Sequence, residues 1–319
     1  MLKEIIKKIK KANKIAIFTH RRPDPDALGS LSSLYEALLA KGKDVAAFLE
    51  QNVSKSYEFL NIDYAKTECD FSQFDLVISV DVAAPSMLGD NFVQGFLNHP
   101  NSVAIDHHAM RITIAKIEYV EAQSASCAEI IYKLLKALKC KITPRLATLI
   151  YTGLAGDTGC FVHDNTTAST HILAGNLMKC GADTELVNLK LFKSGSVERL
   201  RLLSLVVPNF IFIGDSLIVP VSFEDFKSVG INPDSGIELI DFVARLDGIN
   251  LTALIQEKKE GEISVSLRST KKYDVSILAQ KFGGGGHRQA SGITRLEGKL
   301  SDIITTFEKE LKSTIREGL

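Results

Sequence analysis

The chain has no tryptophan, only five cysteines in 319 residues, and no excess of charge of either sign. Cys69, Cys127, Cys140, Cys160 and Cys180 are scattered without a C-x-x-C pair. Their odd number suits reduced thiols in a cytoplasm better than a disulfide framework, and structural zinc is not expected. A net charge of zero argues against long duplex nucleic acid, whose binders rely on a basic excess to neutralise phosphates. It leaves room for a short or mononucleotide ligand held by a few Arg and Lys groups. No apolar run approaches the roughly 18 residues that a bilayer span requires, so no membrane contact is expected. The Lys-rich first 14 residues put Leu2, Ile5, Ile6 and Ile9 on one helical face, without the apolar centre and cleavage site of a signal peptide. A cytoplasmic location is the expectation. Internal repeats and low-complexity segments are also missing.

What remains is an ordinary globular composition, 45% hydrophobic and 24% charged, long enough for two domains. Apolar runs at 15–18, 45–49, 76–80 and 102–105 alternate with helical patterns at 28–41, 127–138, 144–154 and 167–179. Alternation of this kind predicts an α/β fold with a doubly wound parallel sheet in the N-terminal half. The character changes near residue 206. A hairpin pattern at 211–219 comes first, then a helix near 235–246, strands at 251–257 and 262–267, a helix at 274–281 and a closing amphipathic helix at 300–315. The expected division is a catalytic domain over 1–185, a helical linker over 186–205, and a smaller C-terminal α/β domain with a mixed sheet over 206–319.

Three of the N-terminal runs end in Asp or His. Ile15-Ala16-Ile17-Phe18 leads into His20, Asp24 and Asp26, on a turn stiffened by Pro23 and Pro25. Leu76-Val77-Ile78-Ser79-Val80 ends on Asp81, and Ser102-Val103-Ala104-Ile105 on Asp106-His107-His108. A Gly-rich break after the 144–154 helix carries Asp157. Each residue has an ordinary explanation: Asp24 and Asp157 as caps, Asp81 as a turn residue, either histidine as a buried structural imidazole. In a parallel sheet, however, the strand ends line up along one edge, so these groups converge. Carboxylates and imidazoles without thiolate suit Mn²⁺, Mg²⁺ or Fe²⁺. Four carboxylates balance two divalent ions, and ion pairs of this kind acidify a water and clamp an in-line phosphoryl displacement. Asp81, alone at its strand end, is the natural bridge.

The second half carries Phe282-Gly283-Gly284-Gly285-Gly286-His287-Arg288. Glycines there let backbone N–H groups approach a phosphate, and the basic pair adds donors; the alternative is a plain flexible linker. The run follows a helix rather than a strand, so it is not a dinucleotide fingerprint. Arg268-Ser269, at a strand end, offers a second phosphate contact.

With Pro-Asp-x-Asp in the first turn, Asp81, the Asp106-His107-His108 triplet, Asp157 and Gly-Gly-Gly-His-Arg in this order, the chain resembles the DHH-family phosphoesterases with a C-terminal DHH-associated domain. The likeness covers essentially the whole chain. It implies that His20 and Asp24 hold one metal, that Asp26, His107 and Asp157 hold the other, and that Asp81 bridges. His108 then acts on the substrate phosphate, and Asp106 supports the His pair. Arg268, Ser269, Gly284, Gly285, Gly286 and His287 match the family's substrate-holding surface, across a cleft between the two domains. The implied cofactors are two divalent ions, Mn²⁺ foremost. The implied substrates are very short single-stranded RNA and 3′-phosphoadenosine 5′-phosphate, with cyclic or linear dinucleotides as the alternative, and the implied assembly is a homodimer. From another class, a catalytically silent nucleotide-binding regulator would need a broken ligand set. Three positions depart from the family pattern: Pro25 for Gly, Met87 for Arg, and Gly156 for Thr.

Overall fold

A computed structural model describes every residue except Ser194, Ser196, residues 234–236, His287 and residues 318–319; the side chains of 237, 238, 241, 316 and 317 are also outside it. The chain forms two compact units, Met1–Ser194 and Gly195–Leu319. Among the described residues, no helix is long and apolar enough to cross a membrane.

The first unit runs α1 (Leu2–Lys11), β1 (Lys14–Phe18), α2 (Pro25–Leu39), β2 (Asp44–Phe48), β3 (Leu76–Val80), α3 (Val93–Asn98), β4 (Ser102–Asp106), β5 (Ile117–Val120), α4 (Cys127–Ala137), α5 (Pro144–Asp157), α6 (Ala168–Lys179) and α7 (Thr184–Asn188). Its five strands are all parallel, in the order β2-β1-β3-β4-β5. Every residue of β3 is buried, as expected of a central parallel strand covered on both faces. Ile15, Ile17, Ile78 and Ile105 face a core shared with α2, α4 and α5. Ala16, Phe18, Val77 and Ala104 face a second core built on Phe48, Phe92 and Phe96. The strand order reverses at β1, which has β2 on one side and β3 on the other. In open α/β sheets this switch point is where loops part and ligands bind.

The second unit contains α8 (Val197–Val206), β6 (Ile211–Ile213), β7 (Ser216–Val221), α9 (Phe223–Val229), α10 (Ile237–Val243), β8 (Leu251–Lys259), β9 (Glu262–Ser269), α11 (Val275–Lys281), β10 (Gly285–Gly286), β11 (Ala290–Glu297) and α12 (Leu300–Glu317). The six-stranded sheet has the order β10-β11-β9-β8-β7-β6, and only β7 and β8 pair in parallel, so it is mixed. Residues of α11 and α12 pack on one face, and residues of α8, α9 and α10 on the other. The hairpin expected at 211–219 is β6–β7, turning at Gly214 with φ +59.

Two sequence expectations change. The Gly-rich stretch after residue 154 does not break the helix: α5 continues to Asp157. Its glycines serve close packing instead. A Cβ at Gly153 would lie 2.6 Å from both Ala128 Cβ and Asp26 Oδ1, and one at Gly29 would lie 2.5 Å from the Leu149 carbonyl. Helices α2 and α5 therefore cross backbone to backbone. Strands β5, β10 and β11 and helices α3 and α9 were not expected, being short, partly exposed or interrupted by glycine.

Candidate metal centre

The first turn forms because Asp24 caps α2: its Oδ1 accepts the Ala27 N–H at 2.9 Å, with Pro25 at the first helical position. One strand over, the Thr19 hydroxyl donates to the Val80 carbonyl at 2.9 Å and ties the end of β1 to the end of β3. Asp81 follows with φ +59, in the left-handed region that Asp tolerates better than most side chains. Such a conformation costs about 1–3 kcal/mol and persists where the surroundings over-determine it. Asp106, the last residue of β4, accepts the backbone N–H of His107 at 2.8 Å and the His108 Nδ1–H at 2.8 Å. Arg111 lies behind it, with Nη1 3.5 Å from Asp106 Oδ2.

The structure brings together the six residues that sequence singled out for metal. Among the described residues, His20, Asp24 and Asp81 form one group whose ligand atoms lie within 4.8 Å of one another, and Asp26, His107 and Asp157 form a second. Asp81 stands between them: Oδ2 is 3.7 Å from His20 Nε2, and Oδ1 is 3.6 Å from His107 Nε2. His107 Nε2 is 3.1 Å from Asp157 Oδ2 and 3.9 Å from Asp26 Oδ2. The other His107 nitrogen, Nδ1, donates to the Ser124 carbonyl at 3.3 Å, which aims Nε2 at the carboxylates. Asp26 is completely buried, and the first amides of α4 hold it: Cys127 N donates at 2.6 Å and Ala128 N at 2.9 Å. Asp24 is therefore both cap and cluster member, which resolves the two readings of it into one.

Whether the cluster fits cations is tested by its electrostatics. Burial, then the neighbouring carboxylates, pushes Asp81 and Asp26 well above the usual carboxylate range, and Asp24 upward as well. Burial would lower the His107 imidazole, but the Asp157, Asp26 and Asp106 carboxylates outweigh it and raise it to about 9. His20 goes the other way, lowered by burial against the pull of Asp24. Asp106 lies below its ordinary value: burial works to raise it, and the His108 ring and backbone N–H more than offset that. Asp81 Oδ1 is buried and accepts no hydrogen bond among the described residues. Four carboxylates, one of them with a buried orphan oxygen, together with imidazole nitrogens and no thiolate, fit a pair of hard or borderline divalent cations.

In the second unit, Arg268 and Ser269 end β9, and Arg268 Nη1 donates to the Leu267 carbonyl at 3.2 Å. The Ser269 hydroxyl donates to the Tyr273 carbonyl at 2.9 Å. The glycine run is no loose linker: Gly285 and Gly286 pair with Gly292 and Ser291 of β11. A Cβ at Gly284 would meet the Gly292 carbonyl at 2.3 Å, and one at Gly286 would meet Ser291 Cα at 2.6 Å, whereas Gly285 faces open space. Two of these glycines are thus demanded by packing, beyond any role toward a ligand. His287 lies outside the described residues.

The comparisons with known proteins follow this architecture. The DHH family N-terminal domain matches residues 14–154, and the DHHA1 domain matches residues 220–313. The bifunctional oligoribonuclease and PAP phosphatase NrnA of Bacillus subtilis is 30% identical over 304 residues, covering 92% of each chain. The chain belongs to the DHH family of phosphoesterases. An exopolyphosphatase-related protein from Bacteroides fragilis shares the fold, with a TM-score of 0.90 at 23% identity over 98% of this chain and 95% of the other. RecJ from Thermus thermophilus, solved in complex with Mn²⁺, matches with a TM-score of 0.52 at 15% identity over 98% of this chain and 54% of its own.

Against this family's pattern, two of the three departures touch each other. A Cβ at Gly156 would lie 2.6 Å from Pro25 Cβ, so the ring that stiffens the first turn occupies the space a side chain at 156 would need. Met87 sits against the second core of the sheet and lends its carbonyl to the Arg21 N–H at 2.7 Å. The supporting groups Thr19, Ser124 and Asn165, the last donating from Nδ2 to the Asp157 carbonyl at 3.1 Å, went unnoticed in sequence. The polar run Asp164-Asn165-Thr166-Thr167 before α6 was the available signal, and it reads as an ordinary helix start.

Proposed function

We propose that this chain is a Mn²⁺-dependent phosphodiesterase and phosphatase that releases 5′-mononucleotides from very short RNA and converts 3′-phosphoadenosine 5′-phosphate to AMP. The observation that carries the reading is Asp81, a buried carboxylate with one oxygen toward each ligand group. The name of the Bacillus subtilis relative supports the substrate pair. Chemistry unites the two substrates, because both products require cleavage between phosphorus and a ribose 3′-oxygen.

In this reading His20 and Asp24 hold one ion, Asp26, His107 and Asp157 hold the other, and Asp81 serves both. The ions would supply Lewis-acid polarisation of the phosphoryl group and charge neutralisation. Mn²⁺ is assigned because mixed imidazole and carboxylate donors suit it and a RecJ neighbour carries it. His108, whose Nδ1 donates to Asp106, would act through Nε2: as the imidazolium it binds the phosphate and gives its Nε2 proton to the departing 3′-oxygen, and the proton shed by the attacking water restores it. Asp106 holds that tautomer. Residues 1–185 form the catalytic domain, and 206–319 hold the nucleotide through Arg268, Ser269, Gly284, Gly285, Gly286 and His287. The reading includes a homodimer, which light scattering on the intact chain measures.

The test is hydrolysis with Mn²⁺ added or chelated, comparing RNAs of two to five nucleotides, a longer RNA, 3′-phosphoadenosine 5′-phosphate and cyclic dinucleotides. Metal-dependent release of 5′-mononucleotides, fastest on the shortest RNAs, is the expected result. Preference for a cyclic dinucleotide would replace the substrate assignment, and no hydrolysis of any would overturn the function.

A further inference from the structure

Beyond the ligand set, two side chains reach the Asp157 carbonyl: the exposed His163, with Nδ1 3.2 Å away, and the half-buried Asn165, which also reaches a second element. After α5 the backbone passes through three consecutive left-handed residues, Gly159 at φ +55, Cys160 at φ +58 and Phe161 at φ +69. Two of them are not glycine, so the turn is strained. It doubles the chain back, and Asn165 Nδ2 donates both to the Asp157 carbonyl at 3.1 Å and to the Ala125 carbonyl at 3.0 Å. These two donations fix the orientation of the amide, since the reversed amide would set its oxygen against two carbonyls. They leave Asn165 Oδ1 buried and without a hydrogen-bond partner. Ala125 belongs to a segment that already serves the same group of ligands: Ser124 O accepts from His107 Nδ1, and Cys127 N and Ala128 N donate to Asp26. Asn165 therefore joins the third ligand, Asp157, to the element that fixes the other two. No comparable link reaches His20 among the described residues.

We infer that Asn165 is a positioning residue for the ion held by Asp26, His107 and Asp157, acting through the Asp157 backbone. The inference rests on the two-ion reading above. Its reach is selective: loss of the amide loosens one ion and leaves the ion of His20 and Asp24 in place.

The experiment is calorimetric titration of the metal-stripped full chain with Mn²⁺ alone, on wild type, Asn165→Ala and Asn165→Leu, alongside the melting temperature of each metal-free protein. The Leu variant keeps about the size and removes the donor without setting an oxygen against the two carbonyls, so it stands in if the Ala variant fails to fold. Wild type is expected to bind two ions. The variants are expected to lose about 10–100-fold in affinity at one of the two binding events, the range typical of groups that orient ligands, with the other event unchanged. Unchanged affinities at both events in a folded variant would overturn the inference. Equal weakening of both, in step with a lowered metal-free melting temperature, would also overturn it by making the role purely structural. Fewer than two ions on wild type would instead defeat the two-ion reading, and the inference with it.

Discussion

The two sheets treat their chemistry-bearing residues differently. In the parallel sheet, the candidate ligands sit at or just beyond element ends, and three are braced by backbone: Asp26 by two amides of α4, His107 by the Ser124 carbonyl, Asp81 by a left-handed turn on a fully buried strand. In the mixed sheet, the glycine run is itself a strand, and two of its glycines are consumed by contact with β11. The first arrangement holds side chains still. The second exposes backbone and keeps side chains out of the way. Rigid ligands for ions and an open backbone edge for a phosphate-bearing ligand are what a hydrolase of small nucleotides requires.

The largest expected effect comes from breaking the rigid half. Asp81→Ala should abolish turnover and lower the Mn²⁺ stoichiometry while the circular dichroism spectrum stays folded; full activity in a folded variant would refute the bridging role. Next is the Pro25–Gly156 contact. Gly156→Thr should reduce activity and cost about 1–3 kcal/mol of stability through overpacking. Because Pro25 is the group it strikes, adding Pro25→Gly should recover much of both, as measured by a double-mutant cycle in denaturant. Purely additive losses would deny the coupling.

The mixed sheet offers the milder contrast. Gly284→Ala forces a Cβ onto the Gly292 carbonyl and should lower stability by about 1–3 kcal/mol. Gly285→Ala has open space and should leave the melting temperature close to wild type, with any effect appearing in KM. Equal melting temperatures for the two would contradict the packing role. Smallest is Asp215, which accepts from Asn250 Nδ2 at 2.7 Å and Tyr273 Oη at 2.8 Å, with Lys272 beside it. Although burial works to raise the Asp215 carboxyl, these partners lower it from 3.8 to about 2. Its contribution is therefore whole above pH 4 and disappears as pH falls through 2. Asp215→Asn should cost about 0.5–1.5 kcal/mol near neutral pH, discounted by solvent screening, and little at pH 2.

How much of this was legible beforehand follows from the kind of signal each part leaves. The parallel sheet and the edge where Asp and His gather were readable because a buried strand must be apolar throughout, and what interrupts it at the end stands out, as Asp81 does after Val80. The extension of α5 to Asp157 was not, because Gly153 and Gly156 look like a stop signal until α2 is known to lie against them. Strand β11 was hidden by Gly292 and a register shift between Ile293 and Leu296. Asn165 was invisible because its two acceptors are carbonyls, which every residue has.

The crossing of α2 and α5 has one more implication. Where glycines let two helix backbones touch, there is nothing soft between them to compress. The separation of Asp26 and Asp157, one near the start of α2 and the other at the end of α5, is thereby set by the main chain and not by the packing of side chains.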